Sequence, residues 1–406
     1  MRLLFVTDQF PWPLNDGGNL RTWHILEGLC RDHDVTLLAH RPHGVIQKTA
    51  RLPENLRSVV TIEKPSLHRR IIENTARMGV TRYPLFLLKN NSLRLQQRVE
   101  ALLARESFDA VHFNHLDTAC FVLMHDWPQL LIFDSHNCLS AMAVQVARES
   151  VNPLSRWLFQ REAELLRAVE HRVCQRSSMC LVCSDNDAEQ FRRICPEGHY
   201  RVAPNGANTD YVSCPSALAP DIDSIVFTGA MNYFPNEQAA LFLCREILPL
   251  LRTYGRRIRI LVVGKSPTAK VRALHTGNEV IVTGTVTDVR PFLERASVVA
   301  VPLKHGSGTR LKILEAFAMG KAVVSTRIGA EGINAIEGRD ILYADNASQF
   351  AAQLMRVLDD DRLRQALGKS GQLLANTQYS WPNIQQRLRD AYQRLQARHQ
   401  ESSTAS

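Results

Sequence analysis

The sequence predicts an α/β chain of two domains, each built on a parallel sheet. Two observations carry this. Short, uninterrupted apolar runs alternate with longer stretches of helical spacing, the rhythm of βαβ units whose strands are buried on both faces. That rhythm stops at a stretch rich in Pro, Asn, Ser and Asp, from Ala203 to Ser224, and then restarts. The 406 residues suit two domains with a core each, and 45% hydrophobic with 22% charged residues is ordinary globular composition.

The elements follow in order. Leu3 to Thr7 is a continuous apolar run, then comes a loop with Pro11, Pro13, Gly17 and Gly18, a helical pattern from Leu20 to Arg31, and a strand at Asp34 to His40. Strand, glycine loop, helix, strand is one βαβ unit. Further buried strands are expected at Ala110–Phe113, Leu130–Asp134 and Met179–Val182, with a long helix from Pro153 to Cys174. After the break, "SIVFTGA", "RIRILVVG", "EVIVTGTV", "SVVAVPL" and "AVVST" read as strands, and "NEQAALFLCREILPLLRTY" and the stretch holding Glu315 read as helices. Helices continue from Ala347 to the end. The expected boundaries are 1–210, a linker 211–222, 223–378, a last helix 379–400 that folds back, and a disordered tail 401–406. No short fixed-period repeat occurs, which excludes a solenoid.

The formal net charge of +9 favours anionic partners without choosing among them. From Arg41 to Arg105 there are thirteen Lys or Arg against four Glu and no Asp, interleaved with Ile71, Ile72, Leu85, Phe86 and Leu87. Two readings stay open for that stretch: a solvated helix face over the core, or a surface resting on anionic lipid. No nucleic-acid module is present, so nucleic acid is not an expected partner. Nine scattered cysteines, with Cys180 and Cys183 in a strand and no second pair, fit reduced thiols in a cytoplasmic protein. The N-terminal apolar run is too short for a signal peptide and no run of eighteen apolar residues occurs, so a membrane span is not expected.

The chemistry concentrates in "VPLKHGSGTRLKILEAFAMGKAVVST", Val301 to Thr326. A phosphate sits well where backbone N–H groups converge at a helix start, and glycines allow close approach. Gly306, Ser307, Gly308 and Thr309 form such a loop, and Arg310 and Lys312 add charge-assisted donors. Glu315 would repel a phosphate, so it should reach a neutral group with hydroxyls, and a ribose fits. The loop with Gly17 and Gly18 has the same form and precedes a helix carrying Arg21. Neither loop is G-x-G-x-x-G, which weighs against a two-domain NAD-dependent oxidoreductase. One such loop per domain suggests a ligand in a cleft at the carboxyl ends of both sheets.

These residues resemble the GT-B glycosyltransferases, specifically the large retaining family four (group 1). "GSGTRLKILEAFAMGKAVVSTRIGAEGI" is similar to the family's donor signature, "MRLLFVTDQFPWPLNDGGNLRTWHILEGL" to its opening unit, "VAPNGANTDYV" to its Pro-Asn-Gly segment, and "VTGTVTDVRPFLERASVVAVPL" to its base-binding turn. "YSWPNIQQRL" resembles its returning helix, and "GAMNYFPNEQA" and "FDSHNCLS" resemble a subgroup associated with exopolysaccharide assembly. The resemblance implies two Rossmann-like α/β/α domains facing an interdomain cleft, with an acceptor-side first domain and a donor-binding second one. It implies that Glu315 binds the donor ribose and that Gly306, Ser307, Gly308, Thr309, Arg310 and Lys312 surround the diphosphate. Gly284, Thr285 and Val286 would hold the base, Gly17 and Gly18 would touch the diphosphate or sugar, and His136 would steady charge near the transferred sugar.

Two departures from the family pattern matter. Ser307 stands where the family often has its first glutamate, and "AMNYFPN" follows Gly229 where many members carry Arg and Lys. Arg310 and Lys312 are expected to supply that missing charge. The implied reaction is retaining hexosyl transfer from a nucleotide sugar to a glycan or lipid-linked acceptor, at the inner membrane face, without a cofactor. No metal is expected: His112 and His115 read as structural, and Asp185-Asn186-Asp187 reads as a helix start capped by Ser184. A sugar-nucleotide 2-epimerase and a non-catalytic nucleotide-sugar scaffold remain alternatives.

Overall fold

The computed structural model describes residues 1–14, 17–41, 52–78, 83–209, 223–306 and 309–404. The chain forms two compact units, Met1–Pro204 with Gln385–Ser406, and Asn205–Ile384. The expected linker, 211–222, lies outside the described residues.

The first unit holds a seven-stranded sheet in the order β3-β2-β1-β4-β5-β6-β7. Its strands are β1 Arg2–Thr7, β2 Asp34–His40, β3 Ser58–Ile62, β4 Ala110–Asn114, β5 Leu130–Asp134, β6 Met179–Val182 and β7 Tyr200–Val202. All neighbours pair in parallel, with Leu3 beside Val35 on one side and Ala110 on the other. Leu3, Leu4, Phe5 and Val6 are fully buried, as a central strand covered by helices on both faces requires. The expected strands β1, β2, β4, β5 and β6 are all present, and the sequence reading missed the edge strands β3 and β7.

Helix starts follow their local chemistry. The helix Pro153–Arg176 has Pro at its first turn and Asn152 as cap, accepting from the Leu154 N–H at 2.9 Å. Ser184 caps Asp185–Ile194 through the Asp187 N–H at 3.0 Å, as its spacing predicted. The last helix, Trp381–Thr404, places Tyr392 in the first unit's interior, its hydroxyl hydrogen-bonded to His112 Nδ1 at 2.7 Å. Gln385 donates to Glu27 and to the His24 carbonyl, and Arg389 donates to Asp32. The helix takes in Glu401 to Thr404, four residues of the segment expected to be disordered; no Gly or Pro intervenes to stop it.

The second unit has six parallel strands in the order β10-β9-β8-β11-β12-β13. They are β8 Ser224–Thr228, β9 Arg259–Val263, β10 Val280–Gly284, β11 Val298–Val301, β12 Val323–Ser325 and β13 Leu342–Tyr343. The helical stretch expected from Asn236 to Tyr254 is interrupted by a π-helical segment, Leu243–Ile247. Pro249 stands two residues after it, and its missing N–H and ring displace the ladder one turn back. The unit begins at Asn205 because the Ala207 N–H donates to the Tyr379 carbonyl and Gly206 lies against the Trp381 ring.

Among the described residues every cysteine is a free thiol, and no helix is long and apolar enough to cross a membrane.

Candidate active site

The predicted donor residues of the second unit lie on one edge of its sheet, in the loops after the strands' carboxyl ends. The loop after β11 turns at Gly306, whose φ of 114° disfavours any side chain. A Cβ there would stand 2.7 Å from the Arg310 guanidinium, so the glycine lets that side chain fold back over its own loop. Arg310 is the extended residue that opens the helix Leu311–Ala318. The Asn205 side chain, from the Pro-Asn-Gly segment, donates to the Thr309 carbonyl at 3.1 Å and ties the loop down. Ser307 and Gly308 lie outside the described residues.

Lys312 crosses from this helix to the loop after β8. Its Nζ donates to Asn236 Oδ1 at 2.7 Å and stands 4.3 Å above the centre of the Phe227 ring. Asn236 in turn donates to the Ala230 carbonyl at 3.0 Å. A Cβ on Gly229 would lie 2.7 Å from the Asn236 amide and 3.1 Å from Lys312 Nζ, so the asparagine and the lysine fill the space a side chain would take. Lys312 Nζ thus stands beside the strand end at Gly229.

The ionisation of this edge is poised near neutrality. Burial pushes Lys312 down to about 7, with the Arg310 charge in the same direction and Glu315 opposing. Burial pushes Glu315 up to about 7, opposed by Lys312 and reinforced by Asp288. Two opposite charges on adjacent turns, each costly alone, are what an anionic ligand with hydroxyls would relieve. The turn after β10 has Gly284 at φ 71°, Thr285 exposed and Val286 partly buried against the core.

The first unit brings its own predicted residues together. Gly17 and Gly18 open the helix Gly17–Asp32 and are exposed. Thr22 donates to the Gly18 carbonyl at 2.8 Å, and Asn114, at the end of β4, donates to Thr22 and Thr7. With its amide spent that way, Asn114 Oδ1 accepts from His136 Nε2 at 2.9 Å. A continuous hydrogen-bonded path therefore joins the glycine turn to His136. Burial pulls His136 down to about 3; Asp134 opposes, and the charges of His115, Arg21 and His112 add to the fall. His136 is neutral, with its proton on Nε2.

Arg21 and His115 do more than the sequence reading assigned them. Arg21 is buried, pairs with Asp134 Oδ1 at 2.6 Å and donates to the Ala203 carbonyl at 2.7 Å. Burial works to raise Asp134, yet the Arg21 charge beside it holds its carboxyl well below the usual range. His112 is structural as expected, stacked on Phe5 at 4.4 Å. His115 does more than was read from it. It sits at φ 75°, a strained value for a non-glycine residue, and meets the His136 ring edge-to-face at 5.2 Å. Burial works to lower His115, but Asp117, Asp134 and Asp8 outweigh it and raise its pKa.

Asn236, Asn114 and His115 are the site residues that motif spacing did not assign; each stands beside a motif, at a strand's end or a helix's start. Among the described residues one group of metal-ligating types occurs, His171, Cys195 and Glu197, and it includes none of the predicted site residues.

Two family models match, one described as Glycosyltransferase Family 4 over residues 15–211 and one as Glycosyl transferases group 1 over residues 222–360. Among solved structures, a sucrose-phosphate synthase from Thermosynechococcus elongatus superposes with a TM-score of 0.74 at 16% identity, covering 98% of this chain and 99% of that one. Anabaena HepE in complex with UDP and glucose gives 0.66 at 14% identity, covering 97% and 99%. WaaG, a glycosyltransferase involved in lipopolysaccharide biosynthesis, gives 0.63 at 14% identity, covering 95% and 98%. Curated relatives match over shorter spans. An uncharacterized glycosyltransferase of Methanocaldococcus jannaschii is 26% identical over 27% of this chain and 31% of its own length. An uncharacterized 44.6 kDa protein in the cps region of Klebsiella pneumoniae is 21% identical over 32% of this chain and 36% of its own. The chain thus spans about a third of the length of each curated relative it matches. Matched by family models over most of both units and built on two parallel Rossmann-like sheets, the chain belongs to the group 1, family 4 glycosyltransferases of GT-B fold.

Proposed function

We propose that this chain is a retaining, metal-independent hexosyltransferase that moves a sugar from a nucleotide-diphosphate donor to a glycan or lipid-linked acceptor in bacterial exopolysaccharide or cell-surface polysaccharide synthesis. It would act in the cytoplasm, peripherally at the inner membrane face. The observation that carries the reading is the Lys312–Asn236–Gly229 contact beside the Arg310 loop, with Glu315 one turn on. HepE holding UDP and glucose supports a nucleotide-sugar donor, and the Klebsiella relative's cps region and WaaG's involvement in lipopolysaccharide biosynthesis support a polysaccharide role.

In this reading Arg310, Lys312 and the backbone from Gly306 to Thr309 hold the diphosphate, Glu315 accepts from the ribose hydroxyls, and Gly284 to Val286 face the base. Gly17 and Gly18 approach the diphosphate or sugar from the first unit. A bound diphosphate favours protonated Lys312, which in turn favours ionised Glu315. The bond from the sugar's anomeric carbon to the diphosphate oxygen breaks and the acceptor oxygen takes its place. The acceptor proton leaves with the nucleotide diphosphate. Loop amides and cations stabilise the departing charge, and a neutral His136 adds no like charge to an oxocarbenium-like transition state.

The test is turnover. Incubation of the purified chain with UDP-, GDP- and ADP-sugars and a bacterial membrane extract should release one nucleotide diphosphate, and NMR of the product should show the donor's anomeric configuration retained. Nucleotide binding without turnover would make the chain a scaffold. Conversion at the sugar's C2 without an acceptor would make it an epimerase. Either would overturn the proposal.

A further inference from the structure

The helix Pro153–Arg176 begins with a solvent-facing apolar stripe that the core does not explain. Leu154, Trp157 and Leu158 share one face at spacings of three and four and are 64%, 55% and 40% exposed, with Arg161 continuing the stripe. The same helix turns Ala163, Leu166, Val169 and Val173 to the interior, on its other side. Val151, in the preceding turn, is 93% exposed and Phe159 is 39% exposed. Large apolar side chains gathered this densely at a helix tip are costly in water unless a partner covers them.

Hydrogen bonds tie the tip to its neighbours. It joins the helix Leu139–Glu149 to Pro153–Arg176, and Arg156 donates to the Ser150 carbonyl across the turn at 3.1 Å. Glu162 accepts from the backbone N–H groups of Leu85 and Phe86, each at 2.8 Å. That capping sets the short helix Leu85–Asn90 beside the tip, with Leu85 42% exposed and Lys89 on the same face. The apolar residues of the basic stretch that face water are thus extended by a second element, which basic composition did not indicate.

We propose that this tip is a docking surface for an anionic lipid bilayer, with Leu154, Trp157 and Leu158 entering the interface. Charge selects the occupant. Arg156 and Arg161 share the helix with the apolar residues, Arg148 lies in the last turn of the preceding helix beside its final residue Glu149, and Lys89 lies in the last turn of Leu85–Asn90. Glu162 is spent on backbone amides, and Glu164 is the exposed acid of the next turn. A second copy would bring like charges face to face in a two-fold interface, whereas anionic headgroups neutralise them. A Trp beside Arg on an apolar face suits the headgroup boundary.

The inference rests on the membrane side of the proposed function, but its test uses neither donor nor turnover, so its failure leaves the transferase reading standing. The full chain is sedimented with phosphatidylcholine vesicles, with and without phosphatidylglycerol, and compared with the variant Leu154→Ser/Trp157→Ser/Leu158→Ser. These side chains face solvent, so the melting temperature should hold. The wild type should partition to the anionic vesicles and weaken with added salt, and the variant should bind about tenfold more weakly. A second variant, Arg148→Gln/Arg161→Gln, should lose the preference for phosphatidylglycerol. The proposal is overturned if the wild type stays in the supernatant or if the triple variant binds equally well. It is also overturned if the wild type is a dimer that the same substitutions dissociate.

Discussion

Replacing Arg21 with Met separates two readings of the first glycine turn. By its position Arg21 could serve a phosphate; in the structure it is 1% exposed, paired with a fully buried Asp134 and bonded to the Ala203 carbonyl. Removing the cation leaves the Asp134 carboxylate inside the protein, with His112 Nε2 3.6 Å away. Breaking a buried pair this way costs about 3–5 kcal/mol, because the remaining charge is uncompensated. For a unit of this size that lowers the melting temperature by about 6–20 °C. Calorimetry should show the loss in the first unit's transition. Nucleotide affinity, measured below that transition, should change little, since the proposed diphosphate ligands Arg310 and Lys312 lie in the second unit. Adding Asp134→Asn should recover most of the stability, a non-additive result that only a coupled pair gives. An unchanged melting temperature with nucleotide affinity at least about tenfold weaker would refute the reasoning and return Arg21 to the phosphate.

Other substitutions probe the remaining geometry. Gly306→Ala places a Cβ at φ 114° and 2.7 Å from the Arg310 guanidinium, so it should cost about 1–3 kcal/mol in thermal denaturation and weaken nucleotide binding; full affinity would mean that the folded-back Arg310 is not the binding conformation. Glu170, buried and accepting from the Leu139 N–H at 2.7 Å, is pushed by burial from 4.5 up to about 7. A raised carboxyl binds its proton more tightly folded than unfolded, so stability should fall by about 3 kcal/mol as pH rises from about 4.5 to about 7 and level off above. Glu170→Gln should flatten that slope in denaturant titrations across this range, and a slope unchanged by the substitution would assign it to another group.

Legibility followed sequence distance. Gly306, Arg310, Lys312 and Glu315 are close in sequence, so the sequence alone groups them. Lys312's partner Asn236 is 76 residues away and Arg21's partner Asp134 is 113 away, and no local pattern announces either. The same holds for strands. Those in the middle of the sheets are unbroken apolar runs, whereas β3 and β7 are edges, β3 with half-exposed residues, and β13 is two residues long. The φ of 75° at His115 leaves no mark in composition. The π-helical segment could have been found: Pro249 inside an apolar helical run signals a displaced ladder.

The central claim is that the loops around Glu315 bind a nucleotide-diphosphate sugar. The direct measurement is a thermal-shift titration of UDP, GDP and ADP and their sugars against wild type and Glu315→Ala. A ligand that binds only the folded state must raise the melting temperature. One nucleotide class should do so, and Glu315→Ala should weaken it by about tenfold to a hundredfold, the worth of hydrogen bonds to a charged group. No shift with any nucleotide, or an equal shift in the variant, would contradict the account.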